Sequence, residues 1–203
     1  MGYLIAIAAG YLLGSSNMAY WISLMKKLDI RANGTGNLGA SNATVLLGWG
    51  AGVVVAVHDI GKAFVTVLLA KWLFPDLEFV GAAAGVACVL GHIFPFYLKF
   101  KGGKGLASYI GMLAALDWRV ALAAAILLIA VTVITDFIAL GTLSVSVVGP
   151  VGLFLLGQGL VTLLILGIAT VVIFVKHQDN LVRIRNKTEI GLISTIKGEN
   201  RVK

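Results

Sequence analysis

The sequence predicts an all-α fold, a polytopic integral membrane protein of about seven transmembrane helices with its N-terminus outside and its C-terminus inside. Three observations carry that expectation. Of 203 residues, 59% are hydrophobic and 12% charged, against about 25% charged in an ordinary soluble domain. The apolar residues are collected in long runs parted by short polar gaps, at a mean hydropathy of +0.98. The Lys and Arg residues concentrate in alternate gaps, which is the bias of cytoplasmic loops. A net charge of +7 and a pI near 9.7 would suit nucleic acid, but basic residues set between apolar runs serve topology and anionic headgroups first. No nucleic acid partner is expected.

Residues 3–25 make the first run, and a helix needs about 20 residues to cross the hydrocarbon. No basic stretch precedes it, which speaks against a cleaved signal peptide. The GSSN at 14–17 is polar enough that it should face other helices. The second run, 43–74, would make about 48 Å of helix against a hydrocarbon core of roughly 30 Å, so part of it should bend or lie in the interface. Within it His58, Asp59 and Lys62 share one helical face. Asp59 and Lys62 are expected to satisfy each other as a bundle-interior ion pair.

An acidic turn of Pro75, Asp76 and Glu78 leads to the third run, 79–98, whose GAAAGVAC allows close helix contact. Cys88 lies in it as a small core residue with no second cysteine to pair with. His92, near its end, should be a hydrogen-bonded packing residue; no two histidines stand at a metal-motif spacing, and no metal is expected. Runs 106–116 and 120–135 are near the lower limit for crossing and need tilt or a thinned bilayer. Runs 137–156 and 159–175 complete the seven.

With the N-terminus outside, the cytoplasmic gaps hold Lys26, Lys27 and Arg31, then Lys99, Lys101 and Lys104, then seven basic residues from Lys176 onward, of 16 in the chain. Lys71 and Arg119 fall at outer ends, and Lys62 inside a run. Three polar stretches are thereby expected on the cytoplasmic face.

The first of these, GTGNLGASN at 34–42, combines glycine-exposed main chain with the side-chain donors of Thr35, Asn37, Ser41 and Asn42. Converging N–H groups and hydroxyls suit an anion, and there are more donors than a flexible linker needs. It is not a Walker loop, since GxxxxGK followed by Ser or Thr is absent, and no strand precedes it for a dinucleotide fingerprint. The second, KFKGGKG at 99–105, adds Lys104, an ammonium that meets phosphate as a point charge. The third, KHQDNLVRIRNKTE at 176–189, sets His177, Asn180 and Arg183 at three-residue steps, near one face if helical. The ordinary pKa of histidine suits proton transfer near neutrality, though the sequence alone leaves the role of His177 open.

Together these stretches resemble the acyl-phosphate:glycerol-3-phosphate acyltransferases, small polytopic enzymes that make lysophosphatidic acid in bacterial membranes. That family's pattern is a GSGNxGATN loop, a GHxFPxxxxFKGGKG segment and a basic HxxNxxR tail followed by Glu. Here they read GTGNLGASN, GHIFPFYLKFKGGKG at 91–105, and HQDNLVR with Glu189. The YLLGS around Tyr11 and the spacing of Asp59 and Lys62 are also similar. The resemblance therefore covers nearly the whole chain.

It implies transfer of a fatty acyl group from acyl phosphate to the 1-hydroxyl of sn-glycerol 3-phosphate, giving lysophosphatidic acid and phosphate for phospholipid biosynthesis. No metal, cofactor or acyl-enzyme is implied; the partners are the two substrates and membrane lipid, with no obligate protein partner. The enzyme would lie in the cytoplasmic (inner) membrane with its site on the cytoplasmic face. Carried over residue by residue, Lys104, His177 and Asn180 are catalytic. Substrate or its phosphate would be held by Thr35, Gly36, Asn37, Gly39, Ser41 and Asn42 of the first stretch. Gly102 and Gly103 join Lys104 in the second, and Thr142, Arg183 and Glu189 complete the set. One domain over 1–203 is expected, the basic tail at 177–203 contributing to the site. An activated donor needs positioning and charge stabilisation more than a strong nucleophile. The HxxxxD pattern of carrier-protein and coenzyme A dependent acyltransferases is absent, because Ala63, Tyr97 and Val182 stand five residues after His58, His92 and His177.

The chain departs from the pattern at Val45, where the family usually has arginine, near Thr142, where serine is usual, and near Lys187, where glycine is usual. A short neutral side chain cannot clamp phosphate as a guanidinium does. A divergent member with altered or weak acyltransfer is therefore kept as an alternative. The contrasting class is a transporter of a small phosphorylated solute, for which Asp59 and Lys62 would be expected but inverted repeats are not evident.

Overall fold

Helix gives way to turn where the sequence places a cap, a glycine or a proline. The computed structural model describes residues 1–196, and every regular element among them is helical. Helix α1 runs Gly2–Ser15 and α2 Met18–Met25; between them the Asn17 side chain accepts the Tyr20 N–H and caps α2. Helices α3, Ala40–Leu47, and α4, Trp49–Leu73, meet at Gly48, whose φ of +94° is open to glycine and strained for other residues. Pro95 ends the course of α5, Val80–Ile93, in a single 3₁₀ turn at Phe96–Leu98. Helix α6, Leu106–Leu116, closes the first of two compact units, Met1–Leu116.

The second unit starts at Asp117, which caps α7, Trp118–Thr135, by accepting the Arg119 N–H. The Arg119 guanidinium bonded to its side chain holds the Asp117 carboxyl down at about 2. Helices α8, Ile138–Leu155, and α9, Gly159–Lys176, follow, then the shorter α10, Gln178–Arg185, and α11, Leu192–Ile196.

In the first unit α5 is the buried axis, with α1, α4 and α6 packed on it. The small residues of GAAAGVAC permit the close approach expected of them. A Cβ on Gly14 of α1 would lie 2.0 Å from the Cys88 carbonyl oxygen, and one on Gly91 would lie 2.2 Å from that of Tyr11. In the second unit α8 packs on α7 and α9. Pro150 inside α8 has no N–H for the carbonyl four residues back, that of Ser146. The Thr170 hydroxyl of α9 donates to that carbonyl at 2.6 Å, which joins the two helices where the proline weakens one.

Among the described residues, five helices have the length and composition to cross a membrane: Trp49–Leu73, Val80–Leu98, Trp118–Thr135, Ile138–Leu155 and Gly159–Lys176. Two expected runs are corrected. Residues 3–25 are not one helix, because the chain turns at Ser16 and Asn17, so α1 has 14 residues. The run 43–74 is broken at Gly48, and α3 already starts at Ala40, inside the GTGNLGASN stretch. The bend anticipated from its excess length is that break. Of the basic tail expected at 177–203, residues 197–203 lie outside the described residues.

Candidate active site

One side chain organises the loop at 34–42. Asn42, on the first turn of α3 and 3% exposed, accepts the Thr35 N–H at Oδ1 and donates through Nδ2 to the carbonyls of Asn37, Ile30 and Asn33 at 3.0, 3.3 and 3.4 Å. A carboxamide so engaged shapes the loop. The Gly36 N–H donates to the Asn33 carbonyl in a local turn. Thr35 and Ser41 remain exposed and Asn37 half-buried, grouped about the N-terminus of α3, for which Gly39 is the N-cap. The first N–H groups of a helix carry positive partial charge and suit an anion. Val45 is 72% exposed and one turn along α3 from Ser41.

The loop at 99–105 is seated at the same end of the first unit. Ile30 and Leu38 from the first loop pack in one apolar cluster with Leu98 of the 3₁₀ turn, Ala19 of α2 and Val55 of α4. The Gly102 N–H donates to the Ile93 carbonyl at 3.0 Å and the Gly103 N–H to the His92 carbonyl at 3.1 Å. Both amides are used to dock the loop on the end of α5. Lys104 follows directly and is half-buried.

The third stretch belongs to the second unit. His177 closes α9, is 4% exposed, and its Nδ1–H donates to the Ile173 carbonyl at 2.8 Å. A carbonyl only accepts, so the proton is assigned to Nδ1 and Nε2 is the accepting nitrogen of the neutral ring. Asn180 and Arg183, on one face of α10 as their spacing predicts, both reach Glu189. Asn180 Nδ2 donates to Oε1 and Arg183 Nε to Oε2, each at 2.5 Å. Glu189 thus holds Asn180 and Arg183 together through its two oxygens. Lys187 turns the chain back toward α10 with φ +58°, a conformation that glycine adopts more readily, which accounts for the glycine usual near that position. Thr142 is buried within α8, its hydroxyl donating to the Ile138 carbonyl at 2.9 Å.

The expected pair of Asp59 and Lys62 is present at 2.8 Å, and His92 is buried beside it. Two contributors were not legible as such. Asn17 donates to the Leu38 carbonyl at 3.4 Å and ties the first loop to the α1–α2 break. Asp136 accepts the N–H groups of Ile193 and Ser194 at Oδ1, at 2.6 and 3.2 Å, and the Ser194 hydroxyl at Oδ2, which fastens the chain just beyond Glu189. A lone acid between two apolar runs was the only sign of it.

A family model described as glycerol-3-phosphate acyltransferase matches residues 4–187. Glycerol-3-phosphate acyltransferase 1 of Oceanobacillus iheyensis is 35% identical over 202 residues, covering 96% of this chain and 97% of the relative. The glycerol-3-phosphate acyltransferase of Shouchella clausii is 43% identical over 144 residues, 70% of each chain. The crystal structure of PlsY, an integral membrane glycerol 3-phosphate acyltransferase, in its glycerol 3-phosphate form matches with a TM-score of 0.90 at 29% identity, covering 97% of this chain and 98% of that one. Its lysophosphatidic acid form matches with a TM-score of 0.86. By these matches, this chain is a member of the glycerol-3-phosphate acyltransferase family.

Proposed function

We propose that this protein acylates the 1-hydroxyl of sn-glycerol 3-phosphate with the fatty acyl group of an acyl phosphate, giving lysophosphatidic acid and inorganic phosphate. The family supplies the acceptor, and the relatives' names and the solved PlsY forms support it. One observation carries the chemistry: the His177 ring is anchored through Nδ1 to the Ile173 carbonyl, which fixes its direction, and Nε2 serves as the base. The acceptor hydroxyl passes its proton to Nε2 as its oxygen bonds to the acyl carbonyl carbon. The carbon–oxygen bond to phosphate then breaks, and phosphate leaves with its electrons.

Lys104 stabilises charge on the departing phosphate. Thr35, Asn37 and Ser41, with the N-terminus of α3 at Gly39, hold a substrate phosphate. Glu189 orients Asn180 and Arg183 toward the reacting groups, and Thr142 serves in the same reaction. The chain works as one enzyme, in a topology of seven crossings with N-terminus out and C-terminus in. Helices α1 and α6, shorter than the five long spans, supply the remaining two. The basic bias of the gaps supports a site on the cytoplasmic face of the cell membrane. No protein partner is required.

The test uses purified protein in detergent with labelled glycerol 3-phosphate and, in parallel, acyl phosphate, acyl coenzyme A and acyl carrier protein. Labelled lysophosphatidic acid is expected with acyl phosphate alone. Product from either thioester at a comparable rate would refute the donor assignment.

A further inference from the structure

The interior of the first unit holds a polar cluster with no part in the chemistry above. Lys62 Nζ lies 2.8 Å from Asp59 Oδ1, 2.7 Å from the Ser16 carbonyl and 3.1 Å from His92 Nδ1. Asp59 and His92 are 1% and 3% exposed. An ammonium accepts nothing, so toward Lys62 at 3.1 Å His92 Nδ1 is the acceptor, and we assign it so in preference to donation to Asp59 Oδ1, which lies farther off at 3.4 Å. The ring proton is thereby assigned to Nε2. His58 closes the other side, its Nδ1 3.3 Å from Asp59 Oδ1 and its Nε2 3.2 Å from Ser16 Oγ.

On the far side of His92 lies the loop that bears Lys104. Besides the two N–H bonds to the His92 and Ile93 carbonyls, the loop rests on the ring itself. A Cβ on Gly103 would come 2.0 Å from His92 Nε2, and one on Gly102 would come 2.1 Å from the His92 carbonyl oxygen. The glycine pair is needed to let the main chain lie flush against this histidine, and Lys104 is the next residue.

A charged cluster at membrane depth is costly, and replacing a buried ion pair by apolar residues of like volume is often neutral or stabilising. Stability of the bundle is therefore a weak reason for it. We infer that Asp59, Lys62 and His92 are positioning residues for Lys104. Asp59 holds the Lys62 ammonium, the ammonium fixes the His92 ring, and His92 fixes the loop by its ring and its carbonyl. The inference rests on the proposed action of Lys104 on phosphate.

The experiment compares Lys62→Met, the neutral pair Asp59→Asn with Lys62→Met, His92→Asn, which keeps an acceptor near the place of Nδ1, and His92→Leu, which keeps bulk alone. Each is assayed for acyl transfer, and hydrogen exchange is followed at 99–105. Lys62→Met and the neutral pair should lower kcat about a hundredfold, the scale of a small misplacement. KM for both substrates should stay within about threefold of wild type. In a Lys104→Ala background Lys62→Met should add no further loss, because a residue acting through another is not additive with it. His92→Asn should stay within about tenfold of wild type while His92→Leu falls with Lys62→Met.

Exchange at 99–105 should quicken in Lys62→Met, the neutral pair and His92→Leu. Losses that multiply with Lys104→Ala, His92→Leu performing as well as His92→Asn, or unchanged exchange in the folded variants would each overturn the inference. A wild-type protein that makes no lysophosphatidic acid would refute the functional reading instead, and the exchange pattern would then decide the positioning role by itself.

Discussion

Two single residues test the site most directly. Lys104→Ala should lower kcat by about 10²–10³, the scale for losing one donor to charge that develops in the transition state. The protein should stay folded in detergent, since the loop is docked by Gly102 and Gly103 through main-chain bonds. Near-normal turnover would reduce this lysine to a topology determinant. Val45 stands 72% exposed on the face of α3 that also bears Ser41, so an arginine there meets no packing obstacle. Val45→Arg should lower KM for one of the two phosphorylated substrates by up to about a hundredfold, corresponding to a charged hydrogen bond of up to 3 kcal/mol. Unchanged constants for both, in folded protein, would place this face of α3 away from substrate.

At the same scale the sequence was legible in which stretches carry clustered polar donors and less so in what each side chain bonds to. Donor-rich loops, Lys104 and the His177–Asn180–Arg183 face could be read because residue type and spacing suffice. Asn42, Gly102, Gly103 and Glu189 were read as holding substrate or its phosphate, and each also bonds within the protein, which the sequence did not announce. An amide or carboxylate looks the same in sequence whether it faces a ligand or a neighbouring carbonyl, and only three-dimensional bonding separates the two.

Among the elements, run length alone could not locate the breaks after α1 and α3. Both fall where hydropathy stays high on either side of one or two residues, Asn17 in one case and Gly48 in the other. The excess length of 43–74 announced a bend without its position. The α8–α9 contact was not legible at all, because it depends on a carbonyl that Pro150 leaves without its helical donor and a hydroxyl twenty residues further on. Thr170→Val, nearly isosteric, should cost about 1 kcal/mol, the net worth of one such hydrogen bond. The measurement is the thermal unfolding midpoint in detergent, and an unchanged midpoint would show that Thr170 contributes only bulk.

For the whole molecule the basic-residue bias makes a topological prediction. A reporter inserted at Asp76 should read external and one fused to the C-terminus cytoplasmic. Both on one side would remove the common face on which the polar stretches are expected to act. The early end of α1 bears on the membrane itself. Its 14 residues reach about 21 Å, short of the roughly 30 Å of hydrocarbon, and its terminal carbonyls are answered inside the protein, Ser15 by the Tyr97 hydroxyl and Ser16 by Lys62. Its polar end can therefore sit below the headgroups without meeting lipid tails unsatisfied. If α1 crosses as proposed, local thinning of the leaflet would accommodate its short length, and the acyl length of the host lipids is then expected to be a variable of the enzyme's rate.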